Sequence, residues 1–380
     1  MNLDDIRKEI DEVDKGLTEL FVRRMKLAQK VAVYKKENGM RIFDKSRERA
    51  IRNKIAKLAG DDMADYADVL YNSVFDISRA YQHQIIGSES KLADKIDKAI
   101  EDTSKVFPKR AVVACQGVEG SYSQLACDRL FTNPDIMYMN DFAGVFRAVE
   151  LGLCKYGVLP IENSTAGSVN EVYDLMKKHS FYIVRGIKLK VSHHLLAKKN
   201  TELKDVKEIF SKDIAFEQCS DYLSSLDGIK FTVCENTAKA AQLVADSDRN
   251  DVAAISSGNC ASLYGLKSLN ERIQNSDANY TRFICISKNM EIYPGSDKIS
   301  MMFSIDHKPG ALYNVISRFA SLGLNLTKLE SRPIPGSDFE FLFYFDINAD
   351  VYDPSVKKLL QEFDDEFDKF NYLGSYSEVV

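Results

Sequence analysis

The chain has 380 residues, 45% of them hydrophobic, enough to bury more than one core, and its net charge of −5 excludes a general nucleic-acid binder. It has no run of about 18 apolar residues, and its opening MNLDDIRKEIDEVDK lacks both a signal-peptide apolar stretch and an acid-poor, Arg/Ser-rich presequence, so a cytoplasmic location and no membrane partner are expected. Seven cysteines, an odd number, scattered and never in C-x-x-C, suggest neither a disulfide framework nor a zinc site.

The charge is uneven, because residues 1–60 carry 16 Lys/Arg against 10 Asp/Glu, which suits an anionic ligand there. Apolar residues at Ile6, Ile10, Val13, Leu17, Leu20, Leu27 and Val31 alternate steps of four and three, with one gap at Arg24. The spacing predicts a helix from Asn2 to Asn38, closed by Gly39 and roughly 55 Å long, which requires partner helices. One partner begins at the N-cap Asp44 and runs through Ile51, Ile55 and Leu58; another passes Val69, Val74, Ile77, Tyr81 and Ile85.

Arg24 alone reads as a snorkelling side chain. Lys35, about three turns on, projects from nearly the same side, whereas Arg7 lies roughly 25 Å away along the axis and reaches such a pocket only from a second subunit. Arg47 and Glu48 follow Asp44, and Ser78 and Gln82, at i and i+4, share one helix face. The set R7, R24, K35, D44-K-S-R47-E48 and S78-x-x-x-Q82 resembles the all-helical chorismate mutases over residues 1–87. The resemblance implies that Lys35 and Gln82 face the ether oxygen of chorismate, and that Arg24, Arg47 and a partner's Arg7 hold carboxylates. Asp44, Glu48 and Ser78 then bind the ring hydroxyl or orient the cations. Such a rearrangement needs neither nucleophile nor proton transfer, only positioning and charge stabilisation.

Residues 88–109 are highly charged, end near Pro108 and read as a helical linker. Beyond them the period changes: a strand at 111–115, a loop, and a helix at 122–131 are followed by the strand DIMYMN, the helix FAGVFRAVELG, the strand YGVLPI and the helix SVNEVYDLMKKH, an α/β pattern. The loop GVEGSYS at 117–123 is not G-x-G-x-x-G, which removes support for a dinucleotide cofactor. Ser121 and Ser123 with the loop N–H groups suit a carboxylate; a plain strand-to-helix turn with a serine cap reads equally well. Further loop edges follow at Glu235-Asn236-Thr237-Ala238 and Ser256-Ser257-Gly258-Asn259. Y280-T281-R282-F283 opens the strand FICIS, where alternation puts Thr281 and Phe283 on one face and Arg282 on the other.

GxEGSYS, GVLPIENSTAGSV, SHHLLA, Gln218-Cys219, ENTAKAA and TRF together resemble the prephenate dehydratases over residues 110–290. The resemblance implies two α/β lobes like a periplasmic binding protein, with Thr281 as hydrogen-bond donor to the departing hydroxide. Glu162, if buried with a raised pKa, is the rival proton source. Asn163, Ser164, Gln218 and Thr237, with Ser121 and Ser123, would orient prephenate. The pair His193-His194 points to opposite faces of a strand and has no companion ligands, so no metal is expected.

From Lys298 the order βαββαβ is ferredoxin-like, and HKPGALY with ESRP resembles the phenylalanine-binding ACT domains over residues 298–376. Gly310, Ala311 and Leu312 would give close backbone approach, and Glu330, Ser331 and Arg332 would meet an ammonium and a carboxylate; a dimerisation module without ligand is the other reading. The expected whole is a multidomain chain: a helical mutase domain, a linker, a two-lobed α/β dehydratase domain and an α+β ACT domain. It would convert chorismate to prephenate and then to phenylpyruvate, without cofactor, as a dimer or tetramer inhibited by L-phenylalanine. A catalytically dead amino-acid sensor is the alternative of another class, and a mutase fused to a dehydrogenase lacks its dinucleotide loop.

Overall fold

The computed structural model describes all residues except 1, 41, 87–89, 306, 308, 335–340, 368 and 380. The expected boundary at 87/88 therefore lies outside the described residues. Contacts group the chain into two compact units, Met1–Lys95 with Met301–Asn371 and Ile96–Ser300 with Tyr372–Val380, the division falling within the helix Leu92–Asp102 and within the strands Lys298–Ile305 and Asn371–Tyr376.

The first unit opens with α1 (Leu3–Glu37), α2 (Lys45–Ala59) and α3 (Ala64–Ile86); α4 (Leu92–Asp102) leads into the second unit. Local signals set the helix ends. Asn2 and Asp5 close a capping box on α1, and the Asp44 carboxylate accepts from the Arg47 N–H to start α2, as the sequence predicts. Both α1 and α2 pack on α3. Yet only Met25, Ala28 and Ala32 of α1 are buried, and the rest of its apolar stripe, from Leu3 through Leu20 to Val31, stays exposed.

The second unit continues with β1 (Arg110–Gln116), α5 (Tyr122–Leu130), β2 (Asn133–Met139), α6 (Phe142–Glu150), β3 (Tyr156–Asn163), β4 (Gly167–Ser168), α7 (Asn170–Met176) and β5 (Tyr182–Lys190). The chain then crosses to a second lobe: β6 (His194–Ala197), β7 (Glu208–Ser211), α8 (Asp213–Gln218), α9 (Ser220–Leu223), β8 (Lys230–Val233), α10 (Thr237–Asp246), β9 (Val252–Ser256), α11 (Asn259–Leu263) and β10 (Lys267–Asn270). It returns through β11 (Tyr280–Ser287). The remaining elements are β12 (Lys298–Ile305), α12 (Ala311–Ser321), β13 (Asn325–Pro333), β14 (Phe341–Asn348), α13 (Pro354–Glu366), β15 (Asn371–Tyr376) and a last short strand, β16 (Glu378–Val379).

The first-lobe sheet has the order β16-β5-β11-β3-β1-β2, with β4 beside β3; the second-lobe sheet runs β10-β6-β9-β7-β8. The first lobe buries Val113, Phe131, Tyr156, Val158 and Phe283; the second has its own core around Leu195, Ile209, Ala253 and Ile255. Gly157 explains the opening of GVLPIENS, since a Cβ there would lie 2.8 Å from Val145 Cγ1 and push α6 off β3. The two crossings pair with each other, Val191 N–H donating to Asn279 O at 2.8 Å and Ile273 N–H to His193 O at 2.9 Å. This is the expected two-lobed binding-protein arrangement.

The C-terminal sheet has the order β13-β14-β12-β15, which is the ferredoxin-like order expected of βαββαβ. Two details depart from the sequence reading. The helix expected to begin at Ser168 starts only at Asn170, because Ser168 pairs in β4 with Glu162. The strand β16, unforeseen after 376, lies parallel to β5, Glu378 opposite Gly186. Two residues carry no periodic signal. Among the described residues, no helix is long and apolar enough to cross a membrane.

Glu208 anchors the edge of the second-lobe sheet. Its carboxylate, buried at 8% side-chain exposure, meets Lys230 at 2.8 Å, Thr232 Oγ1 at 2.7 Å and Arg249 at 2.5 Å. These donors hold it down from 4.5 to about 2. A depressed carboxylate stabilises the folded state above its ordinary pKa and loses that contribution as pH falls through the folded value. Glu208→Gln is therefore expected to speed hydrogen exchange in β7, β8 and β9 at pH 6, the gap from the parent chain closing as pH falls from 4.5 to about 2. Equal protection of the two chains at pH 6 would contradict this.

Candidate active sites

Between α1, α2 and α3 lies a cavity of about 310 Å3 whose polar lining includes Arg24, Lys35, Asp44, Arg47, Glu48 and Gln82. Packing fixes the cations. The Arg24 guanidinium sits 5.5 Å over the Phe75 ring, and its buried Nη1 has no hydrogen-bond partner among the described residues. Burial pushes its pKa down, with Tyr71 and Glu48 opposing. Lys35 Nζ donates to Ile42 O at 2.6 Å, so the chain after α1 folds back over the head of that lysine. Gln82 Nε2 bonds Ser78 O at 3.2 Å and Ser78 Oγ at 3.3 Å, which leaves the buried Gln82 Oε1 without a partner among the described residues. The cavity thus holds an unpaired arginine nitrogen and an unpaired amide oxygen, both costly unless a ligand meets them.

The second site lies where the crossings meet the ends of β3 and α8. Asn163 is its hub. Its Oδ1 accepts from the backbone N–H of Thr165 at 3.0 Å and of Ala166 at 2.9 Å, and from Thr165 Oγ1 at 2.7 Å. Backbone N–H groups only donate, so Nδ2 must face the other way; it donates to Asn279 Oδ1 at 2.8 Å, Tyr280 O at 3.2 Å and Thr281 Oγ1 at 3.0 Å. Gln218 extends the network, donating to Thr165 Oγ1 at 2.8 Å and accepting from Asn279 Nδ2 at 3.0 Å and His193 Nε2 at 2.9 Å. Burial lowers the His193 pKa and favours the neutral ring. An adjoining cavity of about 250 Å3 is lined by Thr165, Gln218, Gln274 and Asn279, among others.

Residues 113–291 match the family described as Prephenate dehydratase, and residues 6–83 match Chorismate mutase type II. The chain is 30% identical over 382 residues to the bifunctional chorismate mutase/prephenate dehydratase of Aquifex aeolicus, covering 100% of this chain and 98% of that one. The chain belongs to the bifunctional chorismate mutase/prephenate dehydratase family. It is also 35% identical over 311 residues to arogenate dehydratase/prephenate dehydratase 2 of Arabidopsis thaliana, covering 78% of this chain and 81% of that one. Among solved structures, the prephenate dehydratase of Arthrobacter aurescens in complex with L-Phe superposes with a TM-score of 0.65 at 26% identity, covering 70% of this chain and 89% of that one.

Within this bifunctional architecture, Arg24, Lys35, Asp44, Arg47, Glu48, Ser78 and Gln82 all line the helical cavity. Arg7 does not; it is exposed and pairs with Asp4 at 3.3 Å. In the dehydratase lobes, Asn163, Gln218 and Thr281 join one network, while Ser164 Oγ ties the crossing by donating to Ala278 O and accepting from Tyr280 N–H. Glu162 does not face Thr281: it pairs with Arg282 across the strands, and alternation puts that pair on the opposite face from Asn163 and Thr281. Ser121 Oγ caps α5 by accepting from Gln124 N–H at 3.3 Å, and Gly120 N–H is taken by Gln124 at 2.5 Å, so both loop groups are engaged locally. Ser123 is buried in α5, and Thr237 is the first residue of α10.

In the C-terminal module, Gly310 has φ +80° ahead of Ala311 and Leu312, and no side chain caps α12. Glu330, Ser331 and Arg332 lie on β13 opposite Tyr344, Phe343 and Leu342. The sequence reading missed Asn279, which meets Asn163 from 116 residues along, and Thr165, which Gln218 meets from 53 residues along. It also missed Arg79, which lines the helical cavity and bonds Glu48 at 2.5 Å.

Asn163→Asp tests the hub. The new carboxylate would face Asn279 Oδ1 and Tyr280 O as an acceptor and would draw the Thr281 proton to itself. Prephenate turnover is expected to fall by about 10²-fold in kcat with chorismate rearrangement unchanged. Undiminished prephenate turnover would remove the hub from the mechanism.

Proposed function

We infer that the chain rearranges chorismate to prephenate in the helical cavity, and dehydrates and decarboxylates prephenate to phenylpyruvate between the two α/β lobes. The observation that carries this reading is the contrast between the pockets: the first is lined by Arg24, Lys35 and Arg47, whereas the second is lined by amides and hydroxyls with one carboxylate, Glu217, and by no Lys or Arg among the described residues.

Chorismate brings two carboxylates and an ether oxygen that gains negative charge as its C–O bond breaks. Arg24 and Arg47 suit the carboxylates, and Lys35 with Gln82 suits the ether oxygen. Gln82 must offer its amide nitrogen to that oxygen, and a half-turn of the amide does this while the Ser78 hydroxyl turns to donate to Oε1. Arg7, exposed on a helix whose apolar stripe is also exposed, fits a partner's cavity in a dimer formed through α1.

In the second reaction the ring C–CO2 bond breaks, its electrons enter the ring, and the C–OH bond opposite breaks to release hydroxide, which takes one proton to leave as water. Thr281 accepts from Asn163 Nδ2 at 3.0 Å, so its own O–H is available to the departing oxygen. A threonine is a weak acid, and Thr281 serves as donor rather than as the ultimate proton source. The position of Glu162 across from Arg282 supports giving this role to Thr281. Asn163, Ser164, Gln218 and Thr237 orient the substrate, with Ser121 and Ser123 at the loop edge.

Residues 298–376 act as an ACT domain through which L-phenylalanine inhibits, the domain boundaries being 1–87, 88–109, 110–290 and 298–376. The uncapped start of α12 behind Gly310 suits an amino-acid carboxylate, and Glu330 suits an ammonium. Since one ferredoxin-like unit leaves that loop open, two subunits would enclose the ligand.

Two substitutions test the division of labour. Lys35→Ala is expected to lower chorismate kcat/KM by at least about 10²-fold with prephenate turnover intact, and Thr281→Val to do the reverse, with KM changing less than kcat. A common loss of both activities in either variant would refute separate pockets. Mixing Arg7→Ala with Lys35→Ala chains is expected to restore part of the mutase activity, and failure despite subunit exchange, seen by mass spectrometry, would refute the shared site.

A further inference from the structure

Arg79 lines the helical cavity yet faces away from it at one end. Its side chain is only 10% exposed, with the guanidinium 5.3 Å over the Phe43 ring. Nη1 donates to Glu48 Oε1 at 2.5 Å, joining α3 to α2 across the cavity wall. Nη2 bonds Asp76 one turn earlier and lies 3.4 Å from Glu366 Oε1 at the end of α13. Glu366 in turn pairs with Arg318 of α12 at 2.7 Å, and Arg318 comes within 3.7 Å of Asp76. Two arginines and three carboxylates therefore form one largely buried cluster inside the first compact unit.

The geometry divides the Glu48 carboxylate. Oε1 is held by Arg79, while Oε2 has no hydrogen-bond partner among the described residues. A planar guanidinium can hold Glu48 with one nitrogen and Asp76 and Glu366 with another; an ammonium, a single point charge, cannot span all three. Loss of Arg79 takes away the ion pair that holds Glu48 and leaves Arg318 to meet both Asp76 and Glu366 in a poorly solvated place.

We propose that Arg79 is a positioning residue for the chorismate rearrangement: it fixes Glu48 in the wall of the cavity and is itself fixed by Glu366 and Arg318, so that the C-terminal module completes the mutase site. This rests on the reading of the helical cavity as the chorismate site. Arg79 acts through Glu48, turning the free oxygen toward the ring hydroxyl.

Full-length chains carry the test. Arg79→Met is expected to lower chorismate kcat/KM by about 10- to 100-fold, mostly through KM because a hydroxyl contact is kept in ground and transition states alike, with prephenate kcat/KM within about twofold of the parent. Arg79→Lys recovers part of the loss, and Glu366→Gln shows a smaller loss of the same kind, about threefold or more. In a Glu48→Gln background, Arg79→Met adds little, because the residue it positions has already lost its charge. If Arg79→Met fails to fold, judged by lost prephenate turnover, Glu366→Gln at the edge of the cluster carries the test. Chorismate kinetics unchanged in Arg79→Met, or losses fully additive with Glu48→Gln, overturn the positioning role, and unchanged kinetics in Glu366→Gln overturn the contribution of the C-terminal module. Undiminished chorismate rearrangement in Lys35→Ala instead overturns the reading of the cavity itself.

Discussion

The carboxamide of Asn163 can point only one way. Two backbone N–H groups, from Thr165 and Ala166, claim its oxygen, and its nitrogen is left to meet Asn279, Tyr280 O and the Thr281 hydroxyl. The network between the lobes depends on that polarity. Because the nitrogen donates to Thr281, the threonine proton is free for a ligand; because it also donates to Asn279, the nitrogen of Asn279 is turned toward Gln218, and Gln218 then receives the neutral His193. The order runs from the tight turn after β3, through both crossings, into the second lobe. A closed network of this kind transmits a single orientation, since each amide is assigned by the previous one.

The two sites differ in how they manage charge. In the helical cavity, burial disfavours the Arg24 cation, and Tyr71 and Glu48 only partly oppose this. The net shift is downward, but an arginine starts so far above neutrality that it stays charged. The result is a cation with an unsatisfied Nη1, which favours an anion more than a solvated arginine would. In the cleft the reverse holds: neutral amides and hydroxyls surround Thr281, and the nearby carboxylate of Glu162 belongs to the other face of the sheet. A lining without Lys or Arg among the described residues suits a substrate that must shed a carboxylate as CO2, since fixed cations would stabilise the group that has to leave.

Local rules made the helices legible. The three-and-four spacing of α1 and the capping residues Asn2 and Asp44 depend on neighbours within one turn, and the structure uses them as the pattern implies. The strands of the lobes and the βαββαβ order were legible for the same reason. The exposed face of α1 shows the limit of periodicity: it marks an apolar stripe without saying what covers it. The partners of Asn163 on the far crossing, Asn279 and Thr281, lie more than a hundred residues along, and no period or cap links them. Arg79 carried no signal in the sequence because its partners Glu48 and Glu366 come from α2 and α13. Glu162, the rival proton source in the sequence, is adjacent to Asn163 along the chain, yet strand alternation puts the two on opposite faces.

That alternation gives the adjacent residues Thr281 and Arg282 separate duties. Arg282 is buried on the far face, its Nε 2.6 Å from Glu378 Oε2 and its Nη2 2.8 Å from Tyr376 Oη, which also meets Ser300 Oγ at 2.8 Å. Burial alone would push the Glu378 carboxylate up, but Arg282, Lys188 and Lys298 hold it below its ordinary value. Ser300 lies near the start of β12 and Tyr376 at the end of β15, so both ends of the ferredoxin-like segment and the short strand β16 converge on one arginine. A two-residue strand has little intrinsic stability, and the buried ion pair supplies the reason for it to lie against β5. Losing Glu378 would leave Arg282, Lys188 and Lys298 as like charges around one poorly solvated place, which works against a strand of this length staying on the sheet. The strand that carries Thr281 toward the cleft is thus pinned from behind by the last residues of the chain, and its two faces are coupled through a backbone that neither side chain can move alone.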